Sequence, residues 1–198
     1  MCQKYKKKEK VMSSKEEFLY KENKDKIHRI AIIGAPGSGK STLAENLKRV
    51  FDLPVYHLDS IHYKENFELR DTQERNQMIL DLAKQDEWIL DGTFIDTLTD
   101  RLDRADYIID LKYSTWTHLK GIFARKIDEN KRKDIPKMTL SFAYYVYSYN
   151  NVQRPYIDAI LKMYDPGKII TFNSRKVLDE YTKTMFIEMG IPISEIKN

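Results

Sequence analysis

The sequence predicts an α/β protein with a five-stranded parallel sheet and helices on both of its faces. Short apolar runs alternate with stretches of helical length from residue 27 onward, and such runs are typical of parallel strands that are buried on both sides. Strands that alternate with helices indicate βαβ units and a three-layer α/β/α arrangement. The expected strands are 29–33, 54–58, 88–90, 107–109 and 168–172.

The helices follow from the apolar periodicity and from the residues that break it. Residues 60–70 fit no regular element. Arg154-Pro155 interrupts the long aromatic helix and is expected to kink it, because proline removes a backbone donor. The expected helices are about 40–51, 71–86, 96–104, 116–123 leading into a charged segment at 125–137, 139–163, and 175–189.

Length and composition suggest one domain of ordinary size. The chain has 198 residues, of which 41% are hydrophobic, and we expect an N-terminal extension over 1–26 and a single domain over 27–198. No apolar run approaches the roughly 18–20 residues of a membrane helix. The N-terminus is polar, and Cys2 is the only cysteine, so an intrachain disulfide is excluded. We therefore expect a cytoplasmic protein without a membrane partner.

The positive charge is concentrated at the N-terminus. Residues 1–26 carry nine lysines against five acidic residues, which accounts for the whole net charge of +4. A basic arm can attract nucleic acid or anionic lipid, although a solvated tail has the same composition. The remaining body is nearly neutral, which argues against a DNA-binding face there.

One motif predicts a phosphate-binding loop. Glycines let successive backbone amides face phosphate oxygens, and the helix that follows directs its positive end at the anion. Lys40 is placed to bridge the β- and γ-phosphates, Ser41 to ligate Mg²⁺ and Thr42 to reach the α-phosphate. We therefore expect a P-loop NTPase fold that binds ATP and Mg²⁺. The segment matching G-x-x-x-x-G-K-[ST] is Gly34, Ala35, Pro36, Gly37, Ser38, Gly39, Lys40 and Ser41.

Acidic residues follow three of the predicted strands. The carboxyl ends of parallel strands lie at one edge of the sheet, where ligands bind, so Asp59, Asp91 and Asp110 should converge near the loop. Asp59 is a candidate to orient or deprotonate an acceptor hydroxyl, or it is an N-cap or loop acid. Asp91 is the first candidate for the metal, with a structural turn or Asp110 as the alternatives.

Several arginines are candidates for binding phosphate or base. Arg125 and Arg132 flank the charged segment and are expected to belong to a helical lid that closes over the phosphates, or the segment is a solvated charge run. Arg101 and Arg104 either face the acceptor or pair with the acids on their own helix. Arg175 follows the last strand, where it is placed to stack on the adenine base.

The aromatic residues of the long helix have two interpretations. They fall all round the helix, so some must be exposed or cover another surface. Core packing or a homodimer face is one interpretation, and stacking on a nucleobase is the other. The residues are Phe142, Tyr144, Tyr145, Tyr147 and Tyr149.

The motif content narrows the class of P-loop protein. No Asn-Lys-x-Asp motif follows the loop, which argues against a GTPase, and the chain is short for a motor or a helicase. A small ATP-dependent kinase that acts on a nucleotide, a nucleoside or another small hydroxyl compound fits best. The alternatives are a non-catalytic nucleotide-dependent regulator or DNA-associated protein and, less favoured, a structural protein with a relic loop.

Three further segments follow the loop at a characteristic spacing. They are Val55-Tyr56-His57-Leu58-Asp59, Trp88-Ile89-Leu90-Asp91-Gly92-Thr93-Phe94 and Arg101-Leu102-Asp103-Arg104-Ala105-Asp106. These segments resemble the bacterial topology-modulation (FlaR-type) proteins, which are related to adenylate kinase. The likeness covers about residues 28–175 and implies an adenylate-kinase-like P-loop fold, and the family name also implies an influence on DNA supercoiling. At residues 130–155 the expected arginines are replaced by Lys131, Lys133 and aromatics.

Overall fold

Five parallel strands form the sheet at the centre of the protein. The computed structural model describes residues 26–64, 68–129 and 140–197, without the side chains of 124–129. The strand order is β2-β3-β1-β4-β5, which confirms the predicted parallel sheet. The strands are β1 (Arg29–Gly34), β2 (Val55–His57), β3 (Trp88–Asp91), β4 (Tyr107–Leu111) and β5 (Ile169–Phe172).

Helices connect the strands on both sides of the sheet. Short 3₁₀ turns at Ile95–Thr97, Pro166–Lys168 and Ile193–Glu195 complete the described elements. Most of the proposed extension (1–25) and residues 130–139 of the predicted lid lie outside the described residues. The helices are α1 (Lys40–Phe51), α2 (Leu58–Ile61), α3 (Thr72–Ala83), α4 (Leu98–Arg104), α5 (Thr115–Glu129), α6 (Leu140–Val152), α7 (Arg154–Leu161) and α8 (Arg175–Glu188).

Two hydrophobic cores cover the two faces of the sheet. Ile30 and Ile32 of β1 point to one face and pack with α1 and α8. Ala31 and Ile33 point to the other and pack with α3, α4, α6 and α7. Each fully buried Ile or Leu contributes on the order of 2 kcal/mol from the hydrophobic effect. Because both faces are covered, the strands are continuously apolar, and the three-layer α/β/α prediction is confirmed.

Element boundaries differ from the sequence prediction at several places. Strand β2 ends at His57, and α2 occupies part of the segment expected to be irregular. Helix α3 ends at Ala83 and not near 86. The aromatic helix is divided at Gln153 into α6 and α7, with Pro155 in the first turn of α7. This interruption was expected, because proline has no amide hydrogen for the preceding turn.

Helix α6 shows why its aromatic residues gave no clear amphipathic pattern. Val146 and Tyr149 are buried, whereas Tyr144 and Tyr147 are 71% and 60% exposed. Core packing therefore accounts for part of the aromatic run only. No helix among the described residues combines the length and apolarity that crossing a bilayer requires.

A buried ion pair attaches α7 to the sheet. Arg154 donates two parallel hydrogen bonds of 2.6 Å to the carboxylate oxygens of Asp110 on β4. The side chains are only 8% and 1% exposed. Arg154 also pairs with Asp158 one turn along α7. Both charges are out of water, so each depends on the other for its solvation.

Replacing Arg154 is expected to destabilise the protein strongly. Arg154→Met leaves the Asp110 carboxylate buried and unpaired, and the free energy of unfolding should fall by about 3–5 kcal/mol in urea denaturation. Lys84→Met, which breaks the exposed pair of Lys84 with Asp81, should cost at most about 1 kcal/mol. Equal losses in the two variants would contradict this account of the pair.

Candidate active site

The glycine-rich segment forms the turn between β1 and α1. Gly37 and Gly39 have φ angles of 77° and 91°, in the left-handed region that residues with a Cβ atom rarely adopt. Helix α1 begins at Lys40, and no side chain caps its first amides. Those amides and the positive end of the helix dipole are therefore available to an anion such as a phosphate group.

Lys40 folds back across this loop. Its Nζ donates a hydrogen bond of 3.0 Å to the carbonyl oxygen of Ala35, and the residue is buried. A phosphate oxygen inside the loop would offer the same ammonium group a full negative charge, and charge-assisted hydrogen bonds are stronger than bonds to a neutral carbonyl. The loop thus holds a cation where an enclosed phosphate needs one.

Ser41 and Asp91 meet where α1 begins and β3 ends. Ser41 Oγ donates a hydrogen bond of 2.5 Å to Asp91 Oδ2, because β3 lies beside β1 and Asp91 is in register with Ile32. Asp91 Oδ1 is buried and has no hydrogen-bond partner among the described residues. A hydroxyl beside a carboxylate with an unpartnered oxygen fits Mg²⁺, which prefers oxygen ligands.

The surroundings of Asp91 favour its ionised form. Burial alone raises the pKa of a carboxyl. Here the hydrogen bond with His57, the charge of Lys40 and the hydrogen bond from Ser41 together outweigh burial, so the pKa of Asp91 lies below its usual value. The ionised carboxylate is the form that attracts a divalent cation.

A histidine absent from the sequence-based candidates contacts the same carboxylate. His57 ends β2 in register with Asp91, and its Nδ1 lies 2.9 Å from Asp91 Oδ2. Its Nε2 lies 3.3 Å from Glu45 Oε1 on α1. The hydrogen bond with Asp91 is the main cause of the raised pKa of His57. The register of β2 and β3 brings His57 and Asp91 together.

Arg175, at the start of α8, lies against the loop. A Cβ atom built on Gly39 would lie 3.5 Å from Arg175 Nη2. A cavity of about 200 Å³ adjoins them between α1, α8 and the C-terminal residues. A group attached to a phosphate in the loop would reach this cavity. Its lining includes Ser38, Thr42, Asn46, Asp179 and Lys197.

Asp59 lies in the first turn of α2, just beyond the end of β2. His57, and not Asp59, is the N-cap of this helix. Burial and then the charge of Asp59 raise the pKa of Tyr145 on α6, and Asp59 also acts electrostatically on His62. The exposed carboxylate therefore lies within electrostatic reach of His62 and of Tyr145 on α6.

Three candidate residues have structural roles instead. Asp110, the alternative metal ligand, has both oxygens engaged by Arg154, so that alternative is wrong. Arg101 is fully buried, which lowers its pKa to about 10, and Arg104 binds the end of α3. Among the described residues neither arginine forms a salt bridge with an acid of its own helix, and both side chains bind backbone carbonyl oxygens instead. Arg101 donates hydrogen bonds to the carbonyl oxygens of Gly92, Phe94 and Thr97. Arg104 donates hydrogen bonds to the carbonyl oxygens of Ala83 and Lys84.

Two other candidates fall outside the description. Arg132 belongs to the undescribed segment 130–139, and Arg125 lies in α5 without a described side chain. Helices α5 and α6 on either side of that segment pack against each other. The predicted lid therefore stays a prediction.

Helix α5 packs directly onto the phosphate-binding loop. A Cβ atom built on Gly121 would lie far inside contact distance of the carbonyl oxygen of Gly37, and one on Gly37 would lie 2.5 Å from the carbonyl oxygen of His118. His118 is buried here, and burial together with the charge of Lys40 lowers its pKa to about 4. The motif includes Gly37, but no sequence signal identifies Gly121 as its partner.

The loop after β1 and the serine–aspartate pair beside it define a P-loop nucleotide-binding fold of the kinase-like type. Residues 30–132 match the sequence model of the AAA domain family. This match spans more than half of the chain, and the chain belongs to that family. No curated protein matches the chain.

One solved kinase structure shares this architecture, and a second shows a weaker likeness. The shikimate kinase of Acinetobacter baumannii, in complex with shikimate, aligns with a TM-score of 0.53 and 13% identity over 87% of this chain and 97% of that chain. A gluconokinase from Sinorhizobium meliloti 1021 aligns with a TM-score of 0.46 and 13% identity over 82% and 91% of the two chains. At these identities the likeness concerns the fold alone.

Gly121→Ala tests the packing of α5 on the loop. In an unconstrained helix this change stabilises by up to about 1 kcal/mol. Here the added methyl group meets the backbone of Gly37, so urea denaturation should show a loss of about 1–3 kcal/mol. Lys120→Ala, an exposed change on the same helix, is the control and should stay within about 0.5 kcal/mol. A stabilised Gly121→Ala protein would contradict the contact.

Proposed function

We propose that this protein is an ATP- and Mg²⁺-dependent phosphotransferase that moves the γ-phosphate to a hydroxyl group of a small acceptor. The observation that carries the proposal is the convergence of Lys40, Ser41 and Asp91 at one loop. The fold shared with the A. baumannii shikimate kinase supports the architecture, and the site residues support the reaction class. The acceptor is a nucleotide, a nucleoside or another small hydroxyl compound.

The chain's own groups bind and orient the triphosphate. The amides of residues 37 and 39–41 would surround the phosphates, and Lys40 would exchange the carbonyl of Ala35 for the β- and γ-phosphate oxygens. Thr42 is proposed to reach the α-phosphate, and it lines the same cavity as Arg175. Arg175 is placed to stack on the adenine base there. Fixed positions and matched charges are what phosphoryl transfer mainly requires.

Ser41 and Asp91 would hold the metal ion. Ser41 offers its hydroxyl oxygen, and the buried, ionised carboxylate of Asp91 acts directly or through water. When bound, Mg²⁺ neutralises charge on the β- and γ-phosphates during transfer. The contacts of Asp91 Oδ2 with Ser41 and His57 leave Oδ1 as the unpartnered oxygen.

Asp59 is the proposed general base. Its carboxylate takes the proton of the acceptor hydroxyl while that oxygen forms a bond to the γ-phosphorus. The bond from the γ-phosphorus to its bridging oxygen breaks, and ADP leaves. Arg125 and Arg132 remain proposed as lid residues that bind the transferred group, on the basis of their charge in the sequence.

The finer relationship we propose is to the topology-modulation (FlaR-type) proteins. It is supported by the segments at 55–59, 88–94 and 101–106 described above. Two of them supply Asp59 and Asp91, and the third supplies the buried Arg101. The competing function, a nucleotide-dependent regulator without catalysis, requires the same loop but no acceptor.

A panel of acceptors distinguishes these two functions. Nucleosides, nucleoside monophosphates, sugars and shikimate are offered with Mg²⁺-ATP, and ADP release is measured. At least one acceptor should raise the rate above the background hydrolysis. Asp59→Asn should lower that stimulated rate about a hundredfold or more while ATP still binds, whereas the exposed, distant Asp86→Asn serves as the control. If no acceptor stimulates ADP release, the regulator is the better description.

A further inference from the structure

We propose that His57 is a positioning residue that fixes the Asp91 carboxylate for the magnesium ion of the bound nucleotide. The inference rests on the proposed function, because it concerns the same metal site. Nothing in the phosphate-binding motif includes His57, which lies on the neighbouring strand β2. Its role follows from three contacts that lock both the imidazole ring and the carboxylate.

The first contact is set by the sheet. His57 and Asp91 are partners in the parallel register of β2 and β3, so their side chains leave the sheet on the same face. His57 Nδ1 lies 2.9 Å from Asp91 Oδ2. A carboxylate oxygen accepts, so Nδ1 carries the proton in this contact. Both the doubly protonated ring and one neutral tautomer provide that donor, and the contact does not depend on the charge of the ring.

The second contact holds the opposite side of the ring. His57 Nε2 lies 3.3 Å from Glu45 Oε1 on α1. The other oxygen of Glu45 accepts a hydrogen bond of 2.7 Å from Lys197 Nζ. Lys197 is itself attached to α1, since its backbone N–H donates to Asn46 Oδ1 and its carbonyl accepts from Asn46 Nδ2. When Nε2 also carries a proton, the ring is held between Asp91 on β3 and Glu45 on α1.

The third contact is the hydrogen bond from Ser41 to Asp91, and it determines which carboxylate oxygen is left for the metal. Ser41 Oγ and His57 Nδ1 both donate to Oδ2 of Asp91, while Oδ1 is buried without a described partner. Rotation of an aspartate carboxylate about χ2 is broad and roughly two-fold. Two donors on one oxygen remove that freedom and keep Oδ1 unpartnered. Such outer contacts commonly set the orientation and affinity of a metal ligand.

Side-chain isosteres separate this role from a general structural one. In His57→Asn the amide nitrogen takes the place of Nδ1 and keeps a donor toward Asp91. In His57→Gln the amide nitrogen takes the place of Nε2 and faces Glu45, so the donor toward Asp91 is lost. His57→Leu removes both contacts. The control is His28→Leu, which removes a surface histidine at the same 3.3 Å distance from a glutamate, Glu87.

The experiment measures binding of a fluorescent ATP analogue to the full chain, with Mg²⁺ titrated from zero and with EDTA as the metal-free reference. His57→Gln and His57→Leu should raise the Mg²⁺ concentration that gives half of the maximal increase in nucleotide binding by about tenfold or more. In His57→Asn this Mg²⁺ concentration should stay within about threefold of the wild-type value, and in His28→Leu it should equal the wild-type value. Affinity in EDTA should be the same for every variant.

Three results would overturn the inference. The first is a Mg²⁺ dependence of nucleotide binding in His57→Gln that equals that of the wild type. The second is an equal loss of Mg²⁺ dependence in His57→Asn and His57→Gln. The third is a nucleotide affinity that falls as much in EDTA as in Mg²⁺. If His57→Leu does not fold, the Asn and Gln variants still decide the question. A wild-type chain that binds no nucleotide at all would instead reject the proposed function and the inference with it.

Discussion

The hydrogen bond from Ser41 to Asp91 joins the two halves of the site, and the sheet order makes it possible. Strand β3 lies directly beside β1, so the residue that ends β3 meets the first turn of the helix that follows β1. Any other neighbour of β1 would leave the loop without this carboxylate. The glycine-rich loop, the Asp91 carboxylate and His57 thus lie along the carboxyl edge of the sheet.

Burial of charge recurs throughout the structure, with two different outcomes. The charges of Arg154 and Asp110 satisfy each other, and Arg101 is satisfied by backbone carbonyls. Both groups are therefore closed to a ligand. Lys40 donates a hydrogen bond to a neutral carbonyl, and Asp91 keeps one oxygen without a described partner. Buried polar groups without a partner are costly to a protein, and a bound phosphate and metal ion would complete the contacts of Lys40 and Asp91.

Local sequence determined some features and tertiary contacts determined others. Helix α1 matched its predicted bounds because the loop fixes its start and Asp52-Leu53-Pro54 fixes its end. Asp91 was identified because it ends a short apolar run. His57 and Gly121 were missed because strand register and helix packing reveal them, and no spacing along the chain does. Arg101 was misinterpreted because a buried arginine and a solvated one look alike in a charged helical segment.

The central claim is that residues 34–41 bind the phosphates of a magnesium nucleotide, and calorimetric titration of the full chain with Mg²⁺-ATP tests it most directly. Lys40→Ala should weaken binding about tenfold or more, since a hydrogen bond to a charged group contributes about 1.5–3 kcal/mol. Lys48→Ala, which removes an exposed lysine from the same helix, should bind as the wild type does. Equal affinity of the wild type and Lys40→Ala would contradict the account.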